Sequence, residues 1–583
     1  MGYGTSILFA RRCGAAGGGV RCAAAVSMLV LGVSQAQVVE PYTLLKTFLS
    51  PDTSFAGEFG VHMIVADFNH DGFNDLLASD ALKSAGGFGG AGKAFVLFGP
   101  TLTSHVEIAA QAPSLAENLG RYAMSVGDAN GDGELDVLLG SAGFDAGGGI
   151  NDDYGRAHLF LGPAFMTDIV FDDPAPQLHA AFGLGGVLGD FDGDGLDDVA
   201  VGAPLKSFTA GSTTVPNVGQ VWVWNALDLQ GTPTLVWMPK PKPDSGFGSY
   251  LAAIPSQTGR GEDLLVAAPT VIDTPCMNCQ GKVFRFHTPG AGVLSVINPP
   301  NVLPAAYNFG HFLSTDDIDG DGEPDLLIGA PDAFKQAFVY HGPEFAAPAI
   351  TLFSPEGTAS TGFGYTGSAA DLDRDGHVDL LLGAPGLTFS HGAVRIYWGP
   401  EFARMDELFP SPGQGFGSGL ATGDVDGDGF AEIFSQSPAG FSGGLVWEYR
   451  RQTLQAGAAS VAIGSGSTVT FTLDLGSQQA GQLYLAALSL ASPENGLVLG
   501  PGTYMPILPD GFTMIGLSLL GTPILEGFQG TLDAQGHAEF ALHWPAGKGG
   551  SLAGRTLHVT AITASPAGLL GVGSNDVELL LEP

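Results

Sequence analysis

Short apolar runs recur along most of the chain, separated by turn-forming stretches, and they come in two kinds. One kind is continuously apolar, as in VAVGAP ending at Pro204, LLIGAP ending at Pro331 and LLLGAP ending at Pro385. The other alternates and ends in Gly-Pro, as in KAFVLFGP, RAHLFLGP, QAFVYHGP and AVRIYWGP. A continuous run bounded by turns predicts a strand buried on both faces, and an alternating run predicts a strand as well. No segment of useful length shows a 3.6-residue period, so an all-helical solenoid is excluded.

These runs are parts of a repeat. An aromatic residue or Leu followed by Gly recurs at Phe59-Gly60, Leu119-Gly120, Phe182-Gly183, Phe247-Gly248, Phe309-Gly310, Phe363-Gly364 and Phe416-Gly417. Each copy then runs in the same order: a short strand, an acidic loop, the apolar run, a variable loop, the alternating strand and a fourth short strand. Four strands joined by tight turns make one propeller blade, so the repeat predicts a seven-bladed β-propeller over residues 38–452. The segment YTLLKTFLSPD, residues 42–52, resembles a fourth strand, and the last copy ends near Tyr449 without one. The N-terminal strand is therefore expected to complete the seventh blade and remove an open edge.

The remaining chain differs. Residues 453–460 read as a linker, and residues 461–583 lack both acidic loops and Phe-Gly pairs. TVTFTLDL (468–475), QLYLAALSL (482–490), AEFALHW and TLHVTAI have strand character, and LDAQGHAEF looks like a hairpin. The expectation is a small β-sandwich. The fold class is thus all-β, a seven-bladed β-propeller with a C-terminal β-sandwich domain.

Composition narrows the function. Only 14% of the residues are charged and 45% are hydrophobic, which excludes disorder. The net charge is -37, from 59 acids against 22 bases, a balance that repels nucleic acid and anionic membranes and attracts cations.

The acids are clustered. Six of the seven copies carry D-x-[DN]-x-D-G-x-x-[DE], with Asp67, Asn69, Asp71 and Asp75 in the first; Asp128, Asn130, Asp132 and Asp136 in the second; and Asp190, Asp192, Asp194 and Asp198 in the third. Asp317, Asp319, Asp321 and Asp325 follow in the fifth, Asp371, Asp373, Asp375 and Asp379 in the sixth, and Asp424, Asp426, Asp428 and Glu432 in the seventh. Carboxylates two apart in a curling loop can face one centre, and Gly at the sixth position permits the turn. The seventh position can offer its carbonyl, so its side chain is free to vary. Such hard oxygen donors suit calcium, at about 2.3–2.6 Å, and predict up to six structural Ca2+ ions. An EF-hand would need Glu at position twelve, where the third loop has Val201 in the buried strand. At a dissociation constant of about 10⁻⁴ M and roughly 1 mM calcium, each site contributes about 1.4 kcal/mol. The fourth copy reads IPSQTGRGEDLLVAAP, retaining Asp263 and gaining Arg260, and no metal is expected there.

The N-terminus predicts an export signal over residues 1–36. Arg11, Arg12 and Arg21 precede an apolar run of about a dozen residues, shorter than the roughly 20 a membrane span needs, and Ser34-Gln35-Ala36 offers a cleavage site. No other stretch could span a bilayer, so no membrane insertion is expected, and the mature chain is expected to be secreted, periplasmic or at the cell surface. Cys276 and Cys279 would then remain in CMNC, where an oxidising compartment favours a local disulfide. A thioredoxin-like site would need a βαβ context, and a metal site a second pair.

These repeats resemble FG-GAP repeat proteins, the group that includes the propeller of integrin α subunits. The Phe-Gly pairs, the D-x-D-x-D-G-x-x-D loops and the Gly-Ala-Pro turns carry the resemblance over roughly residues 38–452, with Leu119 replacing Phe and SQSP near Pro438 replacing the usual turn. The resemblance implies the propeller fold, calcium in the loops, and members that bind extracellular ligands, recognise sugars or serve as accessory domains.

In a blade of this order the acidic loops and Gly-Pro turns share one face. The long loops between second and third strands lie on the other, with Phe88, Phe144, Tyr154 and Phe208 as candidate partner-binding residues. No H-E-x-x-H, nucleophile elbow or phosphate loop is present, and calcium accounts for the paired carboxylates, so no enzyme is expected. The expected function is a secreted calcium-binding scaffold for extracellular adhesion or protein interaction. The alternative is a carbohydrate-binding, lectin-like module, accessory to an enzyme or alone.

Overall fold

The computed structural model describes residues 42–583 apart from 53–56, 146–152, 258–259, 273–279, 301–307, 333–334, 356–361, 387–391, 409–414, 438–443, 452, 477–478, 492–496, 501–502, 506–509, 565–569 and 575–576. The expected signal segment and the Cys276–Cys279 pair lie outside these residues.

The chain is nearly all β. Seven four-stranded antiparallel sheets follow one another between Tyr42 and Arg451. The first runs Phe59–Ala66, Asp75–Asp80, Lys93–Leu97 and His105–Ile108, in chain order. The seventh joins Leu420–Gly423, Glu432–Ser437 and Leu445–Arg451 to Tyr42–Leu49 from the other end of the chain. That pairing is antiparallel, with Tyr42 opposite Arg451 and Leu49 opposite Leu445. The N-terminal strand thus closes the last sheet, as its sequence predicted. First strands of successive sheets are neighbours all the way round, and Phe59–Ala66 touches both Met124–Gly127 of the second sheet and Leu420–Gly423 of the seventh. This is the arrangement of a β-propeller.

The continuous apolar runs lie where both sheet faces are covered. Asp136–Ser141, Asp198–Ala203, Asp325–Ala330 and Asp379–Ala384 are second strands, buried at every residue. The core lies between adjacent sheets: Leu77 and Val96 of the first pack with Val137, Leu139 and Phe160 of the second.

The Phe-Gly and Gly-Ala-Pro motifs meet at these contacts. Phe247 is fully buried, and its N–H donates to Val218 O of the preceding sheet at 3.0 Å. Gly202 of VAVGAP lies so close to the next sheet that a Cβ would stand 2.1 Å from Gly248 O. Gly219, at the start of the third strand, has φ +88° and would put a Cβ 2.0 Å from Phe247 O. The motif is a set of close backbone approaches that leave no space for a side chain.

The C-terminal region holds two sheets over one core. One orders Leu454–Ala456, Ser467–Asp474, His537–Trp544 and Leu525–Glu526. The other includes Val577–Glu582, Thr556–Ala564, Leu483–Ser489 and Gln529–Thr531. Phe471 and Phe540 stack at 4.9 Å in the shared core, with Val559 and Leu579.

Three features differ from the sequence reading. Within 453–460, expected as a linker, Leu454–Ala456 pairs with Ser467–Asp474, because Leu454 buries in this core. LDAQGHAEF does turn, with Gly536 N–H donating to Asp533 O at 3.1 Å, but it is not a hairpin. Gln529–Thr531 pairs with Leu483–Ser489, whereas His537–Trp544 pairs with Ser467–Asp474, so the turn links two sheets on either side of the core. A helix, Gly511–Ser518, was not expected. Eight residues give too few turns for a period, and its signal is a capping box: Asp510 accepts from Thr513 N at 2.8 Å, and Thr513 Oγ1 accepts from Asp510 N at 3.0 Å.

Candidate cation-binding loops

Each acidic loop joins the first and second strands of a sheet, and each folds by the same hydrogen bonds. In the first loop, Asp67 accepts from Asp71 N at 3.2 Å and Gly72 N at 3.0 Å, and Asp71 accepts from Phe73 N at 2.9 Å. The sixth-position glycine has a positive φ, +91° at Gly72, which aims its N–H back at Asp67. The same bonds recur from Gly133 to Asp128, Gly195 to Asp190, Gly322 to Asp317, Gly376 to Asp371 and Gly429 to Asp424, at 2.7–3.0 Å.

The ninth-position acid is the buried floor. Asp75, Asp136, Asp325 and Glu432 are fully buried, with Asp198 and Asp379 nearly so. Asp75 accepts from Phe68 N at 2.9 Å and Gly99 N at 2.8 Å. Gly162, Gly342 and Gly399 donate likewise to Asp136, Asp325 and Asp379 at 2.8–2.9 Å. The Gly-Pro that ends each alternating strand therefore belongs to the loop, since its Gly fixes the floor carboxylate. In the third sheet Ala226 N does this for Asp198, at 2.9 Å.

Electrostatics make these loops unfavourable as bare acids. Burial pushes the Asp75 and Asp136 carboxyls up to about 6 and those of Asp198 and Asp379 up to about 7, with neighbouring carboxylates adding to the rise. Ligand oxygens converge closely enough for one ion in Asp190, Asp192 and Asp194; in Asp317, Asp319 and Asp321; in Asp371, Asp373 and Asp379; and in Asp424, Asp426 and Glu432. The first two loops bring an Asn into the same place. Asn69 and Asn130 each donate to the fifth-position Asp, at 3.1 and 3.0 Å. An all-oxygen donor set with a buried, hydrogen-bonded carboxylate fits a hard divalent cation.

Two sheets depart from this pattern. In the fourth, Asp263 is bound by the Arg285 guanidinium and by His287 Nδ1 at 2.8 Å. In the seventh, Arg450 pairs with Asp426 and lies 3.4 Å from Glu432 Oε1, so its loop already holds a fixed cation. That loop also meets the C-terminal region. Phe430, at its seventh position, is fully buried in the C-terminal core, flanked by the guanidinium groups of Arg374 at 5.4 Å and Arg451 at 5.2 Å. In the fifth loop, His341 Nδ1 lies 3.1 Å from both Asp319 and Asp325.

The eighth position had no role in the sequence pattern, yet it ties neighbouring loops together. Asn74 donates to Asp424 O at 2.9 Å, and Asp197 accepts from Asp128 N at 2.8 Å. Its identity varies between copies, so no periodic signal marks it.

The candidate partner residues lie apart from these loops. Phe88 is 45% exposed. Phe144 is covered by the Arg156 guanidinium at 3.4 Å, and Phe208 packs edge-on against Trp237 at 5.8 Å. Tyr154 is half-buried. Among the described residues, no helix is long and apolar enough to cross a membrane.

Comparison with known proteins agrees with these repeats. An FG-GAP-like repeat family matches residues 317–382 and 371–435, and the FG-GAP repeat family matches residues 182–224. Integrin alpha-5 of Xenopus laevis is 30% identical over 257 residues, covering 42% of this chain and 23% of that protein. Integrin alpha-PS2 of Drosophila melanogaster is 31% identical over 250 residues, covering 40% of this chain and 17% of that protein. This chain therefore spans about a fifth of the length of these relatives. A crystal structure of BBS1N in complex with ARL6DN aligns with 70% of this chain and 97% of its own, at 10% identity and a TM-score of 0.42. The chain carries FG-GAP repeats and is integrin α-like in that part of its sequence.

Proposed function

We propose that this protein is an exported, calcium-stabilised scaffold for extracellular adhesion or protein interaction, and not an enzyme. Residues 38–452 form a seven-bladed β-propeller and residues 461–583 a C-terminal β-sandwich, after removal of a signal over residues 1–36. Calcium occupies up to six loops, with Asp67, Asp128, Asp190, Asp317, Asp371 and Asp424 as the first ligand of each. In the seventh sheet it shares its acids with Arg450. The partner is an extracellular protein met at the variable-loop face, where Phe88 is the most accessible of the four candidate aromatics.

One observation carries the reading. Six loops at one place in a repeat hold buried carboxylates by the same backbone N–H bonds, and burial among other acids raises the carboxyls of Asp75, Asp136, Asp198 and Asp379, a penalty on their ionised form that a bound cation would relieve. The integrin α likeness supports an adhesive role.

Thermal unfolding of the exported chain tests it. Calcium at about 1 mM is expected to raise the midpoint by roughly 10 °C over excess chelator. Identical curves would remove the calcium reading. Pull-down from extracellular matrix or cell-surface extracts, lost on Phe88→Ala, tests the partner face.

A further inference from the structure

Where the seven inner strands begin, at the end away from the acidic loops, their residues enclose a cavity of about 580 Å³. Every sheet contributes to its wall. The volume lies within the roughly 300–1,000 Å³ of small-molecule sites.

Its chemistry is specific. Three phenols face it, from Tyr122, Tyr250 and Tyr365, and Tyr122 and Tyr365 are 39% and 37% exposed. The His311 ring packs between two of them, 5.1 Å from Tyr250 and 4.6 Å from Tyr365. His311 Nδ1 lies 3.2 Å from the Tyr365 carbonyl, which can only accept, so Nδ1 carries the proton. Nε2 is then the acceptor for Tyr250 Oη at 3.3 Å. The Tyr250 oxygen is left to accept a further hydrogen bond.

Charge in the cavity is balanced. Glu58 and Arg121 both line it, and they pair at 3.1 Å. The other titratable lining groups besides the phenols are His62 and His311, both driven by burial toward the neutral form, His62 down to about 4. A cation would gain from the aromatic faces, but the lining offers it no unpaired carboxylate. An anion would meet an arginine already neutralised. Flat aromatic faces beside phenol, imidazole, carboxylate and guanidinium groups suit a ligand with an apolar ring face and a rim of hydroxyls.

We propose that this cavity binds a neutral sugar ring, stacked on Tyr122 or Tyr365 and held at its hydroxyls by Tyr250, Glu58 and Arg121. The site is separate from the acidic loops and does not depend on what they bind.

Saturation-transfer NMR and calorimetry on the exported chain, with a panel of neutral mono- and disaccharides up to about 10 mM, test the proposal. Binding of at least one panel sugar is expected. Tyr122→Ala or Tyr365→Ala, whichever removes the stacking ring, is expected to weaken it about tenfold or more, while Phe88→Ala leaves it unchanged. Both tyrosines are partly exposed, so the melting midpoint of each variant should stay near that of the parent. If it falls, Tyr250→Phe, which keeps the ring and removes a proposed hydrogen bond to the sugar, is expected to weaken binding instead, and unchanged binding there would count against the proposal. No binding by any sugar in the panel overturns the proposal. So does sugar binding that survives both alanine variants, or selective binding of tetramethylammonium instead.

Discussion

Arg285 donates to the buried carboxylate of Asp263 and so supplies positive charge beside that acid from the third strand of the fourth sheet, as Arg450 does for the acids of the seventh. Its guanidinium also donates to Pro343 O at 2.7 Å and lies 5.3 Å from the Phe345 ring, joining the fourth sheet to the fifth. The blade that lost its acidic run kept one acid and covered it with a guanidinium.

Removing that charge should be costly and insensitive to calcium. Arg285→Leu leaves Asp263 beside His287 Nδ1 without the guanidinium charge, and a destabilisation of about 3 kcal/mol is expected. Denaturant titration should show the same loss with calcium and with chelator. A loss that calcium reverses would mean that the fourth loop binds metal after all.

The gain in stability from calcium should grow with pH. The carboxyls of Asp75 and Asp136 are raised to about 6 in the fold and those of Asp198 and Asp379 to about 7, above the unfolded value of 3.8. In the cation-free protein a raised acid favours folding below the unfolded value, and that advantage is lost as pH rises through the folded one. Calcium needs the ionised form, so the difference between midpoints with calcium and with chelator should be small at pH 5 and larger by pH 7.5. Taking the difference cancels groups far from the loops, such as His62 and His311. A difference that shrinks with rising pH would contradict the loop electrostatics.

Two glycines with similar backbones separate strain from close approach. Gly219 has φ +88° and a Cβ would stand 2.0 Å from Phe247 O, whereas Gly211 has φ +62° with open space around it. Gly211→Ala should cost about 1 kcal/mol, the price of a left-handed residue alone. Gly219→Ala should cost upward of about 3 kcal/mol, because a neighbouring sheet must shift. Equal losses in denaturant titration would show that the sheets are not packed this tightly.

Phe430 links the seventh loop to the C-terminal core. Phe430→Ala should destabilise by about 3–5 kcal/mol. Limited proteolysis should then release a C-terminal fragment sooner than in the parent. An unchanged digestion pattern would mean that the two parts hold together without this ring.

Much of this architecture was legible because the repeat samples one problem seven times. Asp190 to Asp198 alone is an acidic turn, but six copies before a buried run at Val199 or Leu326 mark a rim of loops on stacked sheets. Ring closure was legible because the last copy lacked a fourth strand and residues 42–52 looked like one. What stayed hidden depends on contacts between distant residues. Gly99, 24 residues beyond Asp75, fixes that carboxylate, and no local pattern joins them. Arg450 and Arg285 are ordinary strand residues until the sheet places them beside buried acids. The C-terminal region has no repeat, so each turn had to be read once, and the turn at Gly536 gave no sign that its flanking strands part company.

The pairing of Tyr42 with Arg451 sets how the molecule bears load. The strand that opens the ring and the strand that leads out of it meet at the same end of an antiparallel pair. Tension applied across those two points peels the pair rung by rung, the weak direction for such a joint. Pulled from those two points, the ring loads its own seam, Tyr42 against Arg451, first.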